Sequence, residues 1–183
     1  MKNDYTLDYD DSVFEPNQFK IFFSMQDKKY YIQDLSNNFG TIVHIDKKFL
    51  LNHGSVFVAG NYRISITFKS TNGNDPNLPI SVQIFEGSHG RIDDFATEYY
   101  EYTKQNSPIS IGRGSDMMIR LSSDGLSRMQ CKLECIDDKW YIIDGSEGKP
   151  STNGTWFHVN EPFPLYDKLS FKAGLLLFRI YLN

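Results

Sequence analysis

The chain has 183 residues, of which 40% are hydrophobic and 15% aromatic, and its formal net charge is −4 at pH 7. This composition is ample for a packed core, while the acidic balance argues against broad binding to nucleic acids or membrane surfaces, which requires a basic field. No apolar run approaches the roughly 20 residues of a membrane span, and the polar start does not resemble a signal peptide. We therefore expect an intracellular protein, nuclear or cytoplasmic, including cytoskeletal assemblies.

The cysteines and histidines give no support for a disulfide or a metal site. Cys131 and Cys135 are the only cysteines, and a spacing of four on an alternating strand places both on one face, which suits a core. The four histidines are scattered without the spacing of metal ligands. The sequence thus predicts no metal ion and no cofactor.

The chain reads from its start as a tail followed by many short strands. Residues 1–14 are acidic and irregular, which predicts a flexible N-terminus. Residues 69–78 are polar and Asn-rich, which predicts a linker between a domain at 15–68 and a second at 79–183. No helical period stands out, so we predict an all-β sandwich architecture. The strand patterns are Phe19–Phe23, Tyr30–Ile32, Thr41–Ile45, Ser55–Ala59, Tyr62–Phe68, Ile80–Phe85, Phe95–Tyr102, Ile109–Ile111, Gln130–Cys135, Trp140–Asp144 and Leu175–Ile180.

Three short runs lie where strand patterns give way to loops, at residues 111–113, 127–130 and 151–155. Loops at one end of a β-scaffold can bring their side chains together, and these loops carry hydrogen-bond donors with no carboxylate among them. Two guanidinium groups suit a phosphate, because they form bidentate, charge-assisted hydrogen bonds. The donors are Arg113, Ser127, Arg128, Thr152 and Asn153, and the sequence predicts that they bind a phosphate carried by a peptide.

The order and spacing of these runs resemble the forkhead-associated (FHA) domain over residues 79–183. The matching residues are Ile111-Gly112-Arg113, Ser127-Arg128, Trp140, Asp144 and Asn153-Gly154-Thr155. The resemblance implies an FHA-type β-sandwich that binds phosphothreonine peptides and acts as a protein–protein interaction adaptor.

The resemblance also implies a role for each residue of the motif. Arg113 and Ser127 would grip the phosphate, and Arg128 would add positive charge. Thr152 and Asn153 would contact the phosphate and hold the main chain of the ligand. The structural residues of the motif would be Gly112, Gln130, Gly154 and Thr155. Gln130 replaces the family histidine, and its amide can brace the loop because it both donates and accepts hydrogen bonds.

The first half of the chain repeats part of this pattern. Glu15 and Pro16 stand where Ser127 and Arg128 stand in the second half, so we expect no phosphate site there. We interpret residues 15–68 as a partial, degenerate FHA-like copy in tandem with the complete one. Because an incomplete sandwich leaves a sheet edge open, we also expect a possible protein partner on residues 15–68. The parallel segments are Gln18–Ile21 with Gln130–Leu133, Tyr30–Asp34 with Trp140–Asp144, and Asn38–Thr41 with Asn153–Thr155.

Two other functions compete with the adaptor. The chain could be a structural subunit of a larger assembly, which would use FHA-like sandwiches for constitutive, phosphate-independent packing. An enzyme is the weakest interpretation, because Ser127, His158 and the carboxylates form no nucleophile, base and orienting group, and there is no P-loop. We therefore predict no catalytic activity.

Overall fold

The computed structural model describes residues 6, 15–36, 40–69, 79–87, 96–146 and 148–182. Most of the predicted N-terminal tail and of the predicted linker lies outside these residues. The all-β prediction is confirmed, since the described residues form strands and one short 3-10 helix at Lys104–Asn106. Within the described ranges no helix is long and apolar enough to cross a membrane.

Sixteen strands are found in the described residues, and most coincide with the alternating patterns of the sequence. The strands of the first half are β1 (Phe19–Ser24), β2 (Lys29–Asp34), β3 (Thr41–His44), β4 (Phe49–Leu50), β5 (Ser55–Ala59) and β6 (Tyr62–Phe68). Those of the second half are β7 (Ile80–Glu86), β8 (Glu98–Tyr102), β9 (Ile109–Gly112), β10 (Ile119–Arg120), β11 (Cys131–Ile136), β12 (Lys139–Asp144), β13 (Trp156–His158), β14 (Phe163–Pro164), β15 (Ser170–Ala173) and β16 (Leu176–Arg179).

The strands belong to two compact units that each draw on both halves of the chain. Unit 1 comprises residues 1–43 and 158–183, and unit 2 comprises residues 44–157. The structure therefore does not divide at residues 69–78, where the sequence predicts a boundary. Instead, β6 and β7, which flank that stretch, pair antiparallel from Tyr62 opposite Glu86 to Phe68 opposite Ile80.

Unit 2 has two sheets, with strand orders β10-β9-β11-β12-β4 and β13-β5-β6-β7-β8. Neighbouring strands are antiparallel except β9 and β10, which are parallel. The Phe49 ring of one sheet meets the Phe157 ring of the other at a centroid distance of 5.8 Å, so the sheets pack face to face. The fully buried side chains of this core include Phe57, Ile64, Ile66, Ile80, Val82, Ile84, Ile109, Ile111, Leu133 and Ile142.

Unit 1 is smaller, with sheets ordered β1-β2-β14 and β16-β15-β3. Phe19 on the first sheet packs edge-on against Phe171 and Phe178 on the second, with ring centroids 5.1 and 5.5 Å apart. The alternation of apolar residues that predicts strands thus also builds the core of this unit.

Each strand of unit 1 has an equivalent in unit 2 with the same pairing register. The β1–β2 hairpin pairs from Phe19↔Asp34 to Ser24↔Lys29, and the β11–β12 hairpin pairs from Cys131↔Asp144 to Ile136↔Lys139. The closing hairpins β15–β16 and β5–β6 also match, and each turns at a glycine with positive φ, Gly174 at 57° and Gly60 at 59°. The first half of the chain therefore supplies the closing hairpin β5–β6 of unit 2, which holds the β11–β12 hairpin of the second half. The second half in turn supplies the closing hairpin β15–β16 of unit 1, which holds the β1–β2 hairpin of the first half.

This exchange has a physical reason that the sequence pattern hides. The closing segments 44–68 and 158–182 have the same alternation of apolar and polar residues and the same turn. The sequence pattern of a segment therefore does not indicate to which unit its hairpin belongs. Antiparallel pairing of β6 with β7 joins strands that are consecutive in the chain, which costs little loop entropy. The membership of residues 15–68 in the FHA family stays a prediction.

Candidate functional site

The five predicted ligand contacts all lie in unit 2, on three loops at the ends of strands. The 113–118 loop follows β9, the 121–130 loop precedes β11, and the 145–155 loop joins β12 to β13. Hydrogen bonds connect the loops to one another, and they bring four of the predicted residues together, with the backbone of Arg128 beside them; the four are Arg113, Ser127, Thr152 and Asn153.

The first two loops are joined through their backbones. The amide of Arg113 donates to the carbonyl of Ser127 at 3.1 Å, and the amide of Gly114 donates to the carbonyl of Arg128 at 2.9 Å. This close approach requires glycine at position 112, because a Cβ atom there would lie 2.3 Å from the Arg128 carbonyl oxygen. Gly112 therefore lets the two arginine-bearing loops lie side by side.

The Arg113 guanidinium is oriented by the neighbouring loop. Its Nε donates to the carbonyl oxygen of Leu126 at 2.7 Å, and the Leu126 side chain is buried in the core. Arg113 is nevertheless an exposed residue. A guanidinium held at one nitrogen is pre-organised to bind an anion with the others.

Ser127 links the second loop to the third. Its Oγ accepts a hydrogen bond from the Thr152 amide at 2.9 Å and lies 3.2 Å from the Thr152 hydroxyl. The Asn153 side-chain amide donates to the carbonyl of Gly125 at 2.8 Å. Both hydroxyls and the Asn153 amide are thus held together at the surface beside Arg113.

Gln130 is fully buried beneath the 121–130 and 145–155 loops, and its side chain forms hydrogen bonds with both loops. Its side-chain oxygen accepts from the Ser127 amide at 2.9 Å, and its nitrogen lies within hydrogen-bond distance of Ser151 Oγ, the Gly154 carbonyl and Thr155 Oγ1. A buried amide with this many partners fixes the distance between the loops. The loop-bracing role predicted for Gln130 is compatible with this geometry.

The carboxylate of Asp144 organises the 145–155 loop from inside. It accepts hydrogen bonds from the Ser151 amide at 2.9 Å, the Ser151 hydroxyl at 2.7 Å and the Thr155 hydroxyl at 2.6 Å. Gly154 has φ +75°, and a Cβ atom there would lie 2.6 Å from Nε2 of His44. Donors of the loop itself therefore occupy the carboxylate oxygens of Asp144.

The electrostatics of the cluster favour an anion. In the part of the chain that the structure describes, the ion pairs are Lys69–Glu101, Lys104–Asp138 and Lys132–Glu134, and none includes Arg113 or Arg128. Arg128 is exposed, like Arg113. Among the same residues, no group of three or more His, Cys, Asp or Glu side chains could hold a metal ion.

Sequence reasoning missed the groups that position the donors. The carbonyl oxygens of Gly125 and Leu126 hold Asn153 and Arg113, but a backbone acceptor leaves no mark in the sequence. The buried hydroxyl of Ser151, which connects Asp144 to Gln130, was also not predicted. Its position beside the motif residues 152–155 was the only available signal.

Unit 2 is therefore an all-β module whose loops present a clustered set of cationic and polar donors. Residues 109–172 match the family model of the FHA domain, in agreement with the resemblance that the motifs show. FHA domains are protein-interaction modules that bind phosphorylated partners, not enzymes. No curated protein and no solved structure matches the chain. The matched residues include 158–172, which lie in unit 1.

Proposed function

We propose that the donor cluster of unit 2 binds a phosphorylated segment of a partner protein and that the chain acts as an adaptor. The observation that carries this proposal is the orientation of Arg113, whose guanidinium is held by the Leu126 carbonyl and forms no ion pair with a carboxylate among the described residues. Phosphate oxygens satisfy such donors through charge-assisted hydrogen bonds.

Each predicted residue takes a distinct role in this proposal. Arg113 and Arg128 neutralise the phosphate charge, and the hydroxyl of Ser127 donates to a phosphate oxygen. Thr152 and Asn153 contact the phosphate and the ligand main chain. Ser127 Oγ accepts a hydrogen bond from the Thr152 amide and also lies 3.2 Å from the Thr152 hydroxyl. When a phosphate binds, the two hydroxyls give up their contact with each other and form hydrogen bonds to the phosphate.

We further propose that the phosphorylated residue is threonine. Support comes from the family, whose members receive the γ-methyl group of phosphothreonine in a pocket beside the phosphate. The protein would then act inside the cell, where phosphorylated partners occur. An adaptor of this kind depends on phosphorylation, whereas a structural subunit that packs constitutively does not.

The test uses the full chain, because unit 2 takes strands β4, β5 and β6 from the first half. A phosphothreonine peptide library is titrated against it by fluorescence anisotropy, with phosphoserine and unphosphorylated libraries as comparisons. We expect micromolar binding that requires the phosphate and is weaker for phosphoserine. Equal binding of phosphoserine would contradict the threonine preference alone.

Matched arginine variants localise the binding. Hydrogen bonds to charged groups contribute about 1.5–3 kcal/mol, so Arg113→Ala should weaken affinity roughly 10- to 150-fold. Arg120→Ala removes another exposed arginine of unit 2, at the end of β10, and should leave affinity unchanged. If no library binds in a phosphate-dependent way, or if both variants weaken binding equally, the proposed site is wrong and a constitutive structural role becomes the better account.

A further inference from the structure

Unit 1 lacks part of the architecture that unit 2 contains. All six of its strands have equivalents in unit 2, namely β11, β12, β4, β13, β5 and β6. Among the described residues, no strand of unit 1 corresponds to β7, β8, β9 or β10. The outer sides of β1 (Phe19–Ser24) and β16 (Leu176–Arg179) therefore end their sheets, and we call them the open edges.

Unit 2 shows what occupies such edges. The edge of β6, which is equivalent to β16, is paired with β7 along seven residues, from Tyr62↔Glu86 to Phe68↔Ile80. The edge of β11, which is equivalent to β1, is paired with β9, from Cys131↔Ile111 to Leu133↔Ile109. The inward apolar side chains of these strands are fully buried, so the strands fill the core as well as complete the sheets; they are Ile80, Val82 and Ile84 of β7 and Ile109 and Ile111 of β9.

The open edges carry apolar side chains that are exposed or only half-buried, and two of them have fully buried equivalents in unit 2. Ile21 on β1 is 45% exposed, whereas Leu133 at the same position of β11 is 0% exposed. Phe23 on β1 is 44% exposed. Phe178 on β16 is half-buried, whereas the equivalent Ile64 is fully buried. Exposed apolar residues beside unpaired strand edges mark a place for an additional strand.

The charges on the open edges restrict the chemistry of that strand. β1 carries a single charged residue, Lys20, and β16 a single one, Arg179. Neither strand carries a carboxylate. A pairing strand with alternating apolar residues on its inner face and acidic residues on its outer face would match both edges, because opposite charges on neighbouring strands attract.

We propose that unit 1 is an interaction surface that receives two extended segments of another polypeptide, one on β1 and one on β16. Their main chains continue the sheets, their apolar side chains cover Ile21, Phe23 and Phe178, and their acidic residues face Lys20 and Arg179. A second copy of this chain does not suit the surface, since its own β7 and β9 are already paired within unit 2. The binding mode is strand addition to a sheet edge.

This proposal is independent of phosphate recognition, because its residues lie in unit 1 and those of the donor cluster lie in unit 2. The test is photo-crosslinking of the full chain in the cells that produce it. A benzophenone amino acid replaces Ile21 or Leu177 on the open edges, or Leu50 of unit 2 as the control. Leu50 lies on β4, outside the three loops of the donor cluster, and its exposed fraction of 45% equals that of Ile21. Cross-linked positions on the partner are located by mass spectrometry.

We expect the same polypeptide to be cross-linked from both open edges and not from Leu50, through two segments that alternate apolar and polar or acidic residues. Ile21→Glu should reduce its capture from position 177 at least tenfold, whereas Arg113→Ala should not change it. The proposal is wrong if cross-links form only within the chain or to a second copy, if no polypeptide is captured, or if the captured segments are helical.

Discussion

The buried amide of Gln130 gives the sharpest test of how the site is held together. Gln130→Leu keeps a side chain of similar size but removes the acceptor of the Ser127 amide and the donor to the Gly154 carbonyl, which lie at 2.9 and 3.0 Å. The hydroxyls of Ser151 and Thr155 keep a partner in Asp144. Two backbone groups therefore lose their partners, and at about 1–3 kcal/mol for each buried group we expect a loss of about 2–4 kcal/mol, because Ser127 is only half-buried.

The chain provides a matched control for this variant. Gln18 in unit 1 accepts from the Glu15 amide at 3.2 Å and reaches the Gly40 carbonyl at 3.5 Å, which are the equivalents of the contacts made by Gln130. A nitrogen–oxygen distance of 3.5 Å is too long for a strong hydrogen bond, so Gln18→Leu should cost only about 0.5–1.5 kcal/mol. It should not change the affinity for a phosphopeptide.

Far-UV circular dichroism during urea unfolding is the assay for both variants, because Gln130 lies in unit 2 and Gln18 in unit 1, whereas the fluorescence of Trp140 and Trp156 reports on unit 2. Gln130→Leu should lower the midpoint and weaken phosphopeptide binding roughly tenfold or more, which corresponds to about 1.4 kcal/mol. Gln130→Leu could lower the free energy of unfolding no more than Gln18→Leu does, or it could lower it without weakening phosphopeptide binding. Either result would refute the reasoning that the Gln130 side chain sets the geometry of the loops.

Three further predictions test the loops, the cysteines and a tyrosine. Gly112→Ala should weaken phosphopeptide binding more than tenfold in anisotropy titrations, because its Cβ would lie 2.3 Å from a backbone oxygen of the facing loop, whereas Gly87→Ala, with open space around it, should be neutral. Iodoacetamide should label half-buried Cys135 before Cys131, whose thiol pKa is raised by complete burial, and equal labelling rates by mass spectrometry would contradict the packing. A hydrogen bond to the Glu98 carboxylate raises the pKa of Tyr100 from 10.0 to about 12. The contribution of this hydrogen bond to the free energy of unfolding should therefore be complete below pH 10 and be lost as the pH rises to about 12. Unfolding curves of Tyr100→Phe should lack this component, and an unchanged pH profile would show that the contact does not form.

The sequence predicted the strands that have clear alternation and sharp turns. Residues 131–136 and 139–144 form strands close to the predicted 130–135 and 140–144, because inward apolar residues alternate with polar ones, and a short turn at Asp137 and Asp138 connects them. The location of the donor cluster could also be predicted, since its loops carry recognisable motifs. What could not be predicted was the orientation of Arg113, because it depends on the Leu126 carbonyl and therefore on a backbone position.

The division into units could not be predicted, because equivalent patterns are interchangeable in sequence. Phe57 and Phe171 occupy the same register position of their hairpins, and both are buried. Their local sequences contain no information about which half of the chain they will join. That choice depends on the energies of alternative pairings across the chain, which alternation and turn residues do not reveal.

The equivalence of the two closing segments, 44–68 and 158–182, predicts how residues 79–183 behave as a separate fragment. Without residues 44–68, the edges that β4, β5 and β6 occupy in unit 2 become available to residues 158–182, which have the same pairing registers. We expect the fragment to fold with its own closing hairpin, to bind the phosphopeptide that the full chain binds, and to unfold at a lower urea concentration. The continuous family match from 109 to 172 agrees with such a closure. Amide hydrogen exchange should show protection at 170–179, and a fragment that remains unfolded while the full chain binds would show that the two closing segments are not interchangeable.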